Sequence, residues 1–299
     1  MGRGIQLPIL GLSILLAGFC SCNFEPDSQG ENGDTLADSL IQIHYINDKT
    51  LLVSFGAEAI TAIHTAKGIV VVDTGISTGL TQKYRRKIEQ VFQQSTFTYV
   101  INTHADHDHY RGNSVFPEAQ VIGHENGPGA MDAYWKAPEQ VAASLEAIVK
   151  EYEAMVQQSS PHSEDWNRNL MQQTRYQSAH QDAVNKIPIR KPEITFRDSL
   201  QLDMGDMTLE LKYFGKCHSN SDILVYIPEL KTLFTGDLMF QYGRPSIRDQ
   251  HMTDKDLWQK AIAWTEQRME HIETIIGGHG QVLTRDDLQA FHRILLEKM

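Results

Sequence analysis

Residues 101–113 read INTHADHDHYRGN, and the six positions from His104 to His109 hold three histidines and two aspartates. Imidazole nitrogens ligate zinc and similar ions, whereas carboxylate oxygens suit harder cations. The preceding run FTYVINTH reads as a β-strand, so the cluster sits at a strand's carboxyl end. If the chain stays extended, His104, Asp106 and Asp108 share one side, His109 turns in after them, and His107 points away. One short turn cannot enclose a metal, so distant residues must complete the shell. His218 follows LELKYFGKC, Asp237 follows KTLFTG, and His279 lies in GGHG after ETII. Each stands in a loop just past an expected strand, where side chains can converge on one sheet edge.

The order of elements around this stretch is α/β. SLIQIHYI, TLLVSFG, ITAIHTA and GIVVVDTG read as strands, LTQKYRRKIEQVFQQ as a helix, and AQVIGHE as a further strand. In APEQVAASLEAIVKEYEAMV the apolar positions Val141, Leu145, Ile148, Val149, Tyr152, Met155 and Val156 recur at helical spacing, and Pro138 suits a first turn. A second helix, SEDWNRNLMQQTRYQSAHQDAV, follows with no strand between. This pair reads as an insertion on a β-rich body, either scaffold or a cover over the cluster. Strands resume in MTLELKYFG, DILVYIP, KTLFTGD and ETIIGG, with helices in DKDLWQKAIAWTEQRM and RDDLQAFHRILLEKM.

With 299 residues and 41% hydrophobic content the chain can bury one large core or two small ones. A net charge of −11 argues against nucleic acid as a partner, because phosphate binding needs clustered cations. The N-terminal MGRGIQLPILGLSILLAGFCSCN has one cation, a short apolar run and small residues before cysteine. That pattern predicts a signal peptide over 1–21, export to the periplasm or cell envelope, and a lipid anchor at Cys22. Residues 22–37 are polar and read as a tether. Beyond the signal only Cys217 remains, so no internal disulfide framework is expected.

In this order, the ligand set resembles the metallo-β-lactamase-fold superfamily. Its signature is H-x-H-x-D-H after a strand, a distant His, an Asp in a T/S-G-D turn and a late G-H-G. The resemblance runs from VVVDTG to GGHG. It implies a four-layer αββα sandwich forming a catalytic domain over 38–299, with the helical insertion around residues 130–187. It further implies two divalent metal ions, most simply zinc. One would be held by His104, the residue at 106 and His218, the other by Asp108, His109 and His279, with Asp237 bridging. Asp73 would order the loop behind the ligands. Asp108 would be catalytic, orienting a metal-bound hydroxide for attack on an ester, lactone, amide or thioester of a small molecule. Arg111 and Arg244, near the same loops, are candidates to hold a substrate anion.

The departure is Asp106, where the family usually has His. A carboxylate there removes the residual positive charge of the usual site, weakens its Lewis acidity, and makes iron or manganese credible beside zinc. β-Lactamase activity is one specialisation of this reading. A di-iron oxidoreductase is another, since some relatives carry a carboxylate in this slot, although they normally append a flavin domain. Asp106 predicts loose or exchangeable occupancy of the first site. Elemental analysis after exhaustive chelation should find less than two zinc ions retained; two tightly held ions would refute the expectation.

Overall fold

The computed structural model describes residues 38–239 and 254–297. The expected signal peptide, Cys22, the tether and Arg244 lie outside the described residues.

GIVVV and ILVYI are apolar at successive positions, as a strand must be when both its faces are covered. Along the chain come β1 (Gln42–Asn47), β2 (Thr50–Phe55), β3 (Glu58–Thr65), β4 (Gly68–Val72), α1 (Thr78–Phe92), β5 (Phe97–Ile101), α2 (His107–Tyr110) and β6 (Gln120–His124). The insertion contains α3 (Gly127–Tyr134), α4 (Pro138–Gln158) and α5 (Glu164–Val184). Then follow β7 (Ile194–Phe196), β8 (Ser199–Asp203), β9 (Thr208–Tyr213), β10 (Ile223–Ile227), β11 (Thr232–Gly236), α6 (Lys255–Glu266), β12 (Thr274–Gly277), β13 (Val282–Leu283) and α7 (Arg285–Glu297).

Two mixed sheets result. The first runs β1 to β7 in sequence order, antiparallel through β4 and parallel from there to β7. The second runs β13-β12-β11-β10-β9-β8, with only β11 and β12 parallel. Alternation along each strand builds three apolar layers. Ile69 and Val71 pack with Leu80, Tyr84 and Ile88 of α1, while Val70 and Val72 face Val225, Ile227 and Phe234 of the second sheet. Leu224 and Tyr226 turn the other way, onto Trp258 and Ile262 of α6 and Phe291 of α7. Helix, sheet, sheet, helix is the expected αββα sandwich.

Helix α1 starts where the Ser77 hydroxyl accepts from Leu80 N at 3.3 Å, a side-chain cap. It ends at Gln93, whose backbone is left-handed. Helix α5 is pinned to it, since Asp182 accepts from Thr78 N at 2.7 Å and from the Thr78 hydroxyl at 2.6 Å. Arg175, Ala179, Asp182 and Ala183 of α5 are buried, whereas α4 buries only Leu145. The insertion therefore attaches through α5 and through Met131 of α3, which packs with Ala105 and Tyr110, while α4 is laid over α5.

The second sheet depends on its helical cover. Trp258 is fully buried and donates its indole N–H to Leu238 O at 3.0 Å. Trp258→Ala should lower unfolding stability by about 3–5 kcal/mol in chemical denaturation; a loss under about 1 kcal/mol would contradict this packing.

Candidate metal centre

The extended run past β5 stops sooner than the alternation predicts. Asp106 is still extended, but helix α2 begins at His107. A helical turn rotates successive side chains by about 100°. Asp108 therefore leaves the side shared by His104 and Asp106 and joins His109 instead. His107 falls outside the groups of potential ligands and stacks on Tyr134, with ring centroids 4.9 Å apart.

Loops from both sheets converge here. His104, Asp106 and His218 place one ligand atom each within 4.8 Å of one another, as do Asp108, His109 and His279, and also His104, His109 and Asp237. Asp237, following β11, lies between the first two triads. Its Oδ2 is 3.6 Å from His218 Nε2 and 3.2 Å from His279 Nε2, and its Oδ1 is 3.5 Å from His109 Nε2. The glycines of T-G-D and GGHG permit this approach. Gly236 has φ +49°, and a Cβ on Gly278 would stand 2.3 Å from Asp237 Oδ1.

The rings are aimed from behind. Asp73 Oδ2 accepts from His109 Nδ1 at 2.9 Å and from the Thr103 hydroxyl at 2.8 Å, and its Oδ1 accepts from Thr103 N at 2.8 Å. With its proton given to Asp73, the Thr103 hydroxyl accepts from His104 Nδ1 at 3.1 Å. His279 Nδ1 donates to Ala57 O at 2.7 Å. Each ring thus turns Nε2 toward the cluster, where loss of its proton leaves a lone pair for a cation. His104 Nε2, His109 Nε2 and Asp237 Oδ1 are buried with no hydrogen-bond partner. Orphaned donors of this kind, among carboxylates, fit a divalent cation.

Electrostatics follow the same geometry. Burial opposes charge on His109, but the carboxylates of Asp237, Asp108 and Asp73 outweigh it and hold its pKa well above the ordinary value. His279 is raised against burial by Asp237, and His104 is raised against burial and His109 by Asp106 and Asp237. Burial pushes Asp108 up, yet His109, His107, His279 and Arg175 bring it down to about 2. Asp237 is depressed in the same way by His109, His279 and His104.

Arg111 is not aimed at the cluster. It is buried, donates to Ile187 O at 2.8 Å and lies over the Trp135 ring, so it fastens the end of the insertion rather than offering a charge to a substrate. Two insertion residues reach the cluster unannounced. Arg175 Nη2 is 3.9 Å from Asp108 Oδ2, and Tyr134 covers His107 with 40% of its surface still exposed. Nothing in their local sequence marks them, because their helical spacing serves packing equally well.

Two sheets flanked by helices, with carboxylates and imidazoles gathered at the strand ends, define a metallohydrolase-like class of protein. The sequence model of the metallo-beta-lactamase superfamily matches residues 54–279, and the chain belongs to that superfamily. It is 22% identical over 232 residues to a metallo-beta-lactamase type 2 of Bacillus cereus, covering 76% of this chain and 70% of that one. A metallo-beta-lactamase type 2 of Bacteroides fragilis is 28% identical over 89 residues, 30% of this chain and 36% of that relative's length. Among solved structures, a metallo-beta-lactamase from Pontibacter korlensis superposes with a TM-score of 0.58 at 18% identity, covering 86% of this chain and 99% of that one. DIM-1 metallo-beta-lactamase superposes with a TM-score of 0.57 at 14% identity, covering 87% and 98%. The superfamily fits a metal-dependent hydrolase of small molecules.

Protonated imidazoles do in the metal-free cluster what a cation does when bound. A raised histidine such as His109 contributes stability fully below its unfolded value and loses it as pH rises through the raised folded value. Depressed Asp108 contributes above its ordinary range and loses that contribution as pH falls toward about 2. Metal binding must displace the histidine protons. The rise in melting temperature on adding zinc should therefore grow between about pH 5 and about pH 8. A zinc-induced rise that is equal or smaller at the upper end would contradict the assignment.

Proposed function

We propose that the protein is a metal-dependent hydrolase that cleaves an ester, lactone, amide or thioester bond in a small molecule. The observation that carries this reading is the set of orphaned buried donors, His104 Nε2, His109 Nε2 and Asp237 Oδ1, at the meeting point of two ligand triads. His104, Asp106 and His218 would hold one ion, Asp108, His109 and His279 the other, with Asp237 shared. Bound there, divalent cations supply Lewis acidity toward a carbonyl oxygen and bring a water's pKa toward about 7.

The chain's own groups set the geometry of attack. Asp108, at a pKa of about 2, is ionised at neutral pH and accepts a hydrogen bond from the attacking water. So acidic a carboxylate holds a proton poorly, which makes orientation its main work. Asp73 keeps His109 in one tautomer through the 2.9 Å contact at Nδ1. Tyr134, stacked on His107, has its pKa raised to about 12 by burial, Asp108 and Asp106. It stays protonated and can donate to a substrate oxygen. Zinc is the proposed ion; the oxygen of Asp106 also suits manganese or iron. β-Lactam hydrolysis is a second reading, favoured by the names of the matched relatives and opposed by the carboxylate at 106.

The test is a panel of esters, lactones and β-lactams assayed with zinc, manganese and iron supplied separately. Metal-dependent turnover of an ester or lactone is expected. Asp108→Asn should cut kcat by about 10²–10⁴-fold while circular dichroism shows the fold retained. Near-normal turnover in that variant would remove Asp108 from the mechanism, and no hydrolysis with any ion would reject the reading.

A further inference from the structure

The turn between β2 and β3 supports both outer members of one ligand triad. Ala57 O takes the Nδ1 proton of His279 at 2.7 Å. Its neighbour Glu58 is a carboxylate only 2% exposed. Glu58 Oε2 accepts from Ile76 N at 2.9 Å, and Oε1 accepts from the Tyr84 phenol at 2.8 Å. The same Oε2 faces Arg175 Nε at 3.4 Å.

Arg175 is 3% exposed and comes from the middle of α5, inside the insertion. Its planar fork points in three directions at once. Nε faces Glu58, Nη1 donates to Gln172 Oε1 at 2.6 Å, and Nη2 lies 3.9 Å from Asp108 Oδ2. Asp108 is thereby divided, with Oδ2 toward Arg175 and Oδ1 toward His109 Nε2 at 3.8 Å. The triad of His104, Asp106 and His218 has other supports. Thr103 holds the His104 ring, and the Ser221 hydroxyl accepts from Ala105 N at 3.1 Å. No described polar contact links Arg175 to that triad.

A cation beside a metal site could act in two opposite ways. Its charge would repel an incoming ion, whereas its hold on Asp108 would orient a ligand for it. Orientation wins here, because Glu58 already offsets the guanidinium at 3.4 Å and the ion meets a nearly neutral pair.

We propose that Arg175 is a positioning residue that makes metal binding by Asp108, His109 and His279 depend on helix α5, and leaves binding by His104, Asp106 and His218 independent of it. This rests on the metal-centre reading given above. The insertion then does more than wall the site: it selects which of the two positions stays loaded.

The experiment is an equilibrium zinc titration of metal-free protein, with cobalt absorption as a second readout and melting curves of the metal-free forms as a check on folding. Two variants are used. Arg175→Lys keeps a charge opposite Glu58 but cannot span to Asp108. The double variant Glu58→Gln, Arg175→Met removes both charges together, so no lone carboxylate is left buried. Wild type should bind two ions. In both variants one ion should bind as in wild type and the other about 10- to 100-fold more weakly, the usual cost of losing a group behind a ligand. Rebinding of both ions at wild-type strength in Arg175→Lys would overturn the proposal, and so would equal weakening of both. Wild type that takes up no divalent ion would instead overturn the metal-centre reading, which separates the two failures.

Discussion

A carboxylate taken out of water costs several kcal/mol unless cations or hydrogen-bond donors meet it, and Asp73 and Asp237 are both buried at the rim where the two sheets part. Much of the local architecture follows from meeting that cost. Asp73 is satisfied by Thr103 and His109, which fixes the turn after β5 and aims the His109 ring. Asp237 is met by imidazoles from three other loops, and that draws the ends of β5, β9 and β12 toward β11. Apolar packing between the sheets sets the distance between those strand ends. Buried charge then decides which side chains fill the space.

The insertion belongs to this scheme. Helix α5 is sunk into the body and is held by polar contacts at two levels: Asp182 on the start of α1, and Arg175 on Glu58. These buried attachments place α5 as a wall beside the cluster. From that wall Arg175 reaches Asp108, while Tyr134 at the end of α3 leans on His107. The surroundings of the two triads therefore differ, although both contain carboxylate and imidazole.

Elements with an apolar period were legible in the chain. The helix at Thr78–Phe92, the long helices of the insertion and the strands at Gly68–Val72 and Ile223–Ile227 all lie where their spacing places them. Strands Ile194–Phe196 and Val282–Leu283 were not foreseen, because two or three residues are too few to show alternation. Ser199–Asp203 was hidden for another reason. As the outer strand of its sheet it exposes every second residue and carries little apolar signal. The turn at His107–Tyr110 was misread as extended, since four residues rich in His and Asp have no period of their own.

The sequence by itself determined the ligand types, their order and their place after strands, because a glycine, a histidine or an aspartate at a strand end has the same chemistry in any fold. It also determined the continuous apolar runs at Gly68–Val72 and Ile223–Ile227, strands covered on both faces. Tertiary structure alone decided that Arg111 fastens a loop and that Arg175 backs Asp108. Those partnerships join residues far apart in the chain, and only the packing of α5 and the two sheets sets the distances of a few ångströms on which ion pairing depends.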